Sequence, residues 1–302
     1  MPDENPLTTP LGLLQFTEGV DGKALIANTQ RLEALGYDIL WIPEVMGREP
    51  VATCGYLLAK TTRLRVGAGI LNVYARDAHA AAQARNTLSE MSGGRFVLGL
   101  GVSHPVLVEP RGHQFEPPAR KMKAYLESLH ASKVDGVQAP LPAPIVIAGH
   151  GPHLMNLAAR EADGLFLHLQ PPAQVAYARS VLGPTKQIHV VVRPVMTTDR
   201  AKARRVARAA LGFYLALPAY QRAWQRAGFT VEDYANGGSD RLIDALAPSG
   251  DATAVKAVLT QYASVGATHL SLYPIHPDED NEAGQVGGMT WDWAALEALA
   301  PG

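Results

Sequence analysis

The chain has 302 residues, with 27 Lys+Arg against 28 Asp+Glu and a net charge of −1. That balance lacks the broad positive field of a nucleic-acid-binding surface, and 47% hydrophobic residues support a substantial core rather than disorder. A single cysteine, Cys54, excludes an internal disulfide and any cysteine-built metal cluster.

The length allows one large domain or two ordinary ones. The first residues, MPDENPLTTP, are acidic and proline-rich where a secretory signal carries a basic segment. Leu11–Phe16 is far shorter than the ~20 apolar residues that span a bilayer. The expectation is a cytoplasmic protein with no membrane partner.

In chain order, short apolar runs alternate with helical periods. Leu11–Phe16 is followed by a helix over about Asp21–Leu35, with Leu25, Leu32 and Leu35 on one face and Gly36 closing it. Asp38–Ile42 and Leu64–Ile70 are the next strands. Ala81, Ala84, Leu88 and Met91 repeat at helical spacing before Gly93-Gly94. Arg95–Gly101 is the fourth strand, and a helix with Met122 and Leu129 on its apolar face follows it. The proline-rich GVQAPLPAP reads as a surface loop before the fifth strand, Pro144–Gly149. Gly164–Leu169 and Ile188–Met196 come next.

Residues 212–250 then read as extra helices, with Pro218 starting one, Val231–Tyr234 a short second and Ser239–Leu246 a third. Val255, Val258, Leu259, Tyr262 and Val265 form the clearest apolar stripe. Thr268–Pro274 is the eighth apolar run, with a closing helix over about Trp291–Leu299. Most runs lack polar alternation, as expected of strands buried on both faces of a parallel sheet. Eight strands alternating with helices predict a single (β/α)8 TIM barrel over 1–302, with 212–250 as a helical insertion between strands seven and eight. An open doubly wound sheet is the alternative.

In a barrel the chemistry sits where the strands end. Those positions hold Glu18, Glu44, Asn72, Arg76, Ser103, His104, His150, His168, Gln170, Tyr273 and His276. Each has a plainer reading: Glu18 beside the first helix's positive end, Glu44 paired with Arg48, Arg76 paired with Asp77 or Glu109, His168 as a satisfied core histidine. No metal is expected, because neither H-x-H on strand one nor H-E-x-x-H occurs. A nucleophile elbow and a P-loop are also missing. Gly67, Gly69, Gly99 and Gly101 alternate on adjacent strands, either opening space for a planar ligand or admitting neighbouring side chains. Gly149-His150-Gly151-Pro152 runs from strand to helix, so its backbone N–H groups suit a phosphate.

Several blocks together resemble the bacterial-luciferase-like superfamily, especially its coenzyme F420-dependent oxidoreductases. They are LGYDILWIPE (35–44), TTRLRVGAGILNVYARD (61–77), LSEMSGGRFVLGLGVSH (88–104), IVIAGHGPHLMNLAAREADG (145–164) and GATHLSLYP (266–274). The resemblance covers nearly the whole chain. It implies hydride transfer between coenzyme F420, or FMN in a monooxygenase alternative, and a small organic substrate. A non-catalytic cofactor-binding barrel is the remaining alternative. The cofactor would touch Gly69, Ile70, Asn72, Gly101, Val102, Ser103, Ala148, Gly149, His150, Gly151 and Pro152. His104, Glu18 or Glu44 would exchange the proton. The resemblance further implies a cis bond at Gly69–Ile70 and a homodimer. One departure is Val45, where some relatives carry a histidine after the strand-two acid. Phe213, Tyr214, Tyr220 and Trp224 would cover the substrate.

Overall fold

The computed structural model describes residues 8–278 and 289–301, so the first seven residues of the amino-terminal stretch lie outside it. Eight parallel strands close into a barrel in sequence order, β1 pairing with β8. They are β1 (Leu11–Leu14), β2 (Ile39–Ile42), β3 (Arg65–Asn72), β4 (Phe96–Gly101), β5 (Ile145–Ala148), β6 (Gly164–His168), β7 (Gln187–Val192) and β8 (His269–Leu272). Every predicted strand is present, and the open doubly wound sheet is ruled out. The seventh ends at Val192 rather than Met196, because Pro194 offers no N–H to continue the ladder.

The helices are α1 (Gly22–Ala34), α2 (Pro50–Leu58), α3 (Ala78–Ser92), α4 (Pro105–Val108), α5 (Pro118–Ala131), α6 (Pro152–Glu161) and α7 (Pro172–Leu182). After β7 come α8 (Arg200–Leu215), α9 (Pro218–Arg226), α10 (Val231–Tyr234), α11 (Asp240–Leu246) and α12 (Ala252–Ser264), with α13 (Trp293–Ala298) after β8. Their starts are written in the chain. Asp21, Asp77, Asp199 and Asp251 each accept a hydrogen bond from a first-turn N–H of α1, α3, α8 and α12. Proline opens α2, α5, α6, α7 and α9, where its fixed φ suits the first turn. No helix among the described residues is long and apolar enough to cross a membrane.

The helical elaboration begins at Arg200, earlier than the sequence boundary of 212, since Asp199 caps α8 there. It has its own apolar cluster, built on Leu211, Tyr214, Trp224, Leu242 and Leu246. Arg204 holds Asp244 at 2.6 Å, tying α8 to α11.

Inside the barrel, Leu14, Phe16, Ile39, Trp41, Val97, Val146, Phe166, Val191 and Tyr273 form a separate cluster. Trp41 is fully buried and meets Phe166 edge-on at 4.9 Å. The strand glycines serve this packing. A Cβ on Gly67 would stand 2.5 Å from the Trp41 ring, and one on Gly69 would stand 2.9 Å from Trp41 Cβ. The space at Gly99 is taken by the Ala68 carbonyl, and at Gly101 by the Ile70 side chain. These glycines admit neighbouring groups, and Gly69 and Gly101 also border the cavity over the barrel.

Gly67→Ala should therefore destabilise the protein by about 1–3 kcal/mol through overpacking. Gly212→Ala meets open space within α8 and should stabilise by about 0.5–1 kcal/mol. Urea denaturation of the two variants checks both signs.

Candidate active site

A cavity of about 730 Å³ lies over the carboxyl ends of the strands. That volume falls within the ~300–1,000 Å³ of small-molecule and cofactor sites. Leu14, Phe16, Phe166 and Tyr273 rise from the barrel interior, and Phe213, Tyr214, Leu217 and Tyr220 reach in from the insertion. Between them lie Gly69, Ile70, the 101–104 stretch and the 148–154 stretch. The Gly69–Ile70 bond is cis, as the resemblance implies. Ser103 takes φ +57, turning the chain sharply before His104.

The loop after β5 is built as its glycines suggest, each for a different reason. A Cβ on Gly149 would lie 2.5 Å from Leu154 Cβ, so this glycine lets α6 approach its own strand. Gly151 has open space around its Cβ position, and no side chain caps α6 there. The amino end of α6 thus faces the cavity with backbone donors available to an anion.

Three imidazoles surround the buried Tyr220 ring. Ring centroids lie 6.0 Å away for His104, 4.5 Å for His150 and 6.2 Å for His168. The Tyr220 hydroxyl meets His168 Nδ1 at 3.1 Å. Burial pushes all three imidazoles below their usual value, His150 to about 3. For His168 the Arg193 charge adds to that effect. Arg193 lies 4.2 Å over the Tyr273 ring and donates to the Ala210 carbonyl at 3.1 Å. The cluster is therefore neutral at pH 7. Among the described residues no group of three or more His, Cys, Asp or Glu is placed to hold a metal.

The acids divide. Glu44 lines the cavity, but both its oxygens are engaged: Oε1 with Arg76 at 3.0 Å and Oε2 with the Asn72 N–H at 2.7 Å. Burial raises its carboxyl despite Arg76, because only 9% of the side chain is exposed. Arg76 also holds Glu49 at 2.8 Å, so its partners are neither Asp77 nor Glu109. Glu18 stands away from the cavity lining. Its carboxylate accepts from the Thr17 and Arg48 N–H groups at 2.7 and 3.1 Å, bracing the loop between β2 and α2. Asn72 also does not line the cavity; its Oδ1 accepts the Tyr74 N–H at 3.0 Å in a tight turn. Trp224 is buried in the insertion, donating to the Leu169 carbonyl at 2.8 Å.

Sequence reasoning missed Phe115, Leu217, Arg222 and Arg226, all of which line the cavity. Phe115 and Leu217 carried no signal apart from hydrophobicity. The arginines did carry one: two cations four residues apart on a short helix.

The neutral imidazoles make stability fall in acid. Between pH 6.5 and about 3 the unfolded chain binds a proton at position 150 that the folded chain refuses. Each pH unit through that window should cost about 1.4 kcal/mol for this group alone. His150→Gln should flatten the slope of unfolding free energy by up to about one proton between pH 6 and 4. Urea midpoints across pH test this.

Comparison with known proteins fits this architecture. The luciferase-like monooxygenase family matches residues 12–269. A 5,10-methylenetetrahydromethanopterin reductase of Archaeoglobus fulgidus is 27% identical over 84% of this chain and 91% of its own. A coenzyme F420-dependent tetrahydromethanopterin reductase from Methanopyrus kandleri superposes with a TM-score of 0.72 at 17% identity, covering 89% of this chain and 94% of that one. An F420-dependent secondary alcohol dehydrogenase, in complex with an F420-acetone adduct, gives a TM-score of 0.71 at 16% identity with the same coverage. The match spans the barrel from β1 into β8, and the chain belongs to the luciferase-like monooxygenase family.

Proposed function

We propose that this protein is a coenzyme F420-dependent oxidoreductase that exchanges a hydride with a small organic substrate. The observation that carries this reading is one continuous cavity joining an uncapped helix end at Gly151 to an apolar chamber over the barrel. That shape suits a flat ring ending in a phosphate. Similarity to the Archaeoglobus reductase along most of both chains supports the choice of cofactor, as does the shared fold of the F420-dependent Methanopyrus enzyme.

When bound, the coenzyme supplies the carbon that gives or takes the hydride. The protein supplies placement and a proton. The α6 end, with Gly151 and Pro152, holds the phosphate, and Gly149 sets the approach of that helix. Ile70, Gly101, Val102 and Ala148 border the ring. His104 exchanges the proton that accompanies the hydride. It lines the cavity, is neutral at pH 7, and has no side-chain hydrogen bond of the kind that occupies both oxygens of Glu44. Glu44 instead holds Arg76 and the end of β3 in place. A homodimer in the cytoplasm belongs to the same proposal, and light scattering checks the dimer.

The FMN monooxygenase reading has the family's own description behind it. Purified protein that is yellow with a flavin spectrum would favour it. Titration with oxidised and reduced F420, followed by fluorescence, tests the main reading, and failure of both forms to bind overturns it. His104→Asn should lower kcat by about 10²–10⁴-fold, with cofactor affinity within a few-fold of the parent. An unchanged kcat would remove His104 from this role.

A further inference from the structure

Arg222 and Arg226 stand one turn apart on α9 and both line the cavity, next to the loop that contains Gly149 and Gly151. Their situation differs from that of other arginines in the insertion. Arg200, Arg204, Arg208 and Arg241 each hold an aspartate. Neither Arg222 nor Arg226 has a carboxylate within ion-pair distance among the described residues. Two cations at i and i+4 repel one another on a helix. Arg226 is pinned nonetheless, its guanidinium donating to the His150 carbonyl. The opposite side of the cavity offers no relief. Glu44 is the only lining carboxylate among the described residues, and it is engaged by Arg76 and the Asn72 N–H. The α6 end of the cavity is therefore one-sidedly positive: backbone donors from the helix and two guanidinium groups beside them.

We infer that Arg222 and Arg226 clamp an anionic extension of the cofactor lying beyond its phosphate, of the carboxylate or second-phosphate class. A single phosphate at Gly151 is already served by the end of α6. Two further cations at the same mouth match a ligand with more negative charge than one phosphate carries. Through the clamp, α9 ties the insertion, and with it Tyr220, to the ligand. This rests on the F420 reading, and it names the part of that ligand which a ring-and-phosphate cofactor such as FMN lacks.

The test measures Kd by fluorescence for three probes: oligoglutamyl F420, the deazaflavin core ending at its phosphate, and the unphosphorylated core. Arg222→Gln should weaken the oligoglutamyl form about tenfold or more, the loss expected for one charge-assisted contact. It should leave both shorter probes within about twofold of the parent, and Arg222→Lys should restore part of the affinity. Raised salt should weaken the parent's grip on the oligoglutamyl form more than the variant's. Equal losses for the phosphate-ended and oligoglutamyl probes would overturn the clamp, because the arginine would then serve the phosphate. So would an unmoved Kd with a raised KM for substrate. Failure of the parent to bind any probe overturns the F420 reading and the clamp together, whereas a binding parent with an unmoved variant overturns the clamp alone.

Discussion

The site depends on how the barrel interior is filled. Trp41 projects inward from β2 and occupies the space that side chains at Gly67 and Gly69 would need on β3. The pairing register places Trp41 directly beside Gly67, so one large ring and two absent side chains form a single packed unit. Phe166 and His189 meet the same indole edge-on at 4.9 and 5.3 Å. The result is a solid plug below the strand ends. Above it, side chains give way to the chamber that Phe16, Phe166 and Tyr273 border. A barrel closed in this way is a platform, and the loops on one rim decide what it does.

Those loops divide the work by chemistry. The loop after β5 contributes backbone, with glycine where α6 must come close and glycine where the space at the helix end stays open. The ends of β4 and β6 contribute neutral imidazoles, kept uncharged by burial. The end of β2 contributes Glu44, whose charge is taken up by Arg76 and a backbone N–H and so fixes the end of β3. Polar groups in an apolar chamber need such partners, and this arrangement leaves His104 less constrained than the acid across from it.

The barrel was legible in the sequence because apolar runs and helix caps are local signals. The eight strands emerged from hydrophobicity alone, and Val231–Tyr234 matches its helix at both ends. The start of the insertion was less clear, since the chain runs helically from Arg200 with no break at 212. At the site, residue type identified the candidates but could not tell a partner from a ligand contact. Glu18 and Asn72 sit at strand ends as expected, yet Glu18 braces the loop after β2 and Asn72 closes a local turn. Glu44's partner is Arg76, separated from it by a helix and a strand, whereas sequence proximity suggested Arg48. The strand glycines were visible, but only Trp41, Ala68 and Ile70 in three dimensions show what fills them. Long-range pairing decides the cases of Glu44 and the strand glycines, and a single sequence does not display it.

The insertion has an apolar core separate from that of the barrel. Leu169, Val195 and Ile275 of the rim pack into it, and hydrogen bonds fasten it as well, among them Trp224 on the Leu169 carbonyl and Arg226 on the His150 carbonyl. Both anchor points are backbone atoms, which persist whatever side chains stand there. Roof positions other than Trp224 and Arg226, whose side chains supply the donors, can therefore change without disturbing the stave-work below. Such a division of labour lets one scaffold drift between substrates at the roof positions that grip neither the rim nor the cofactor.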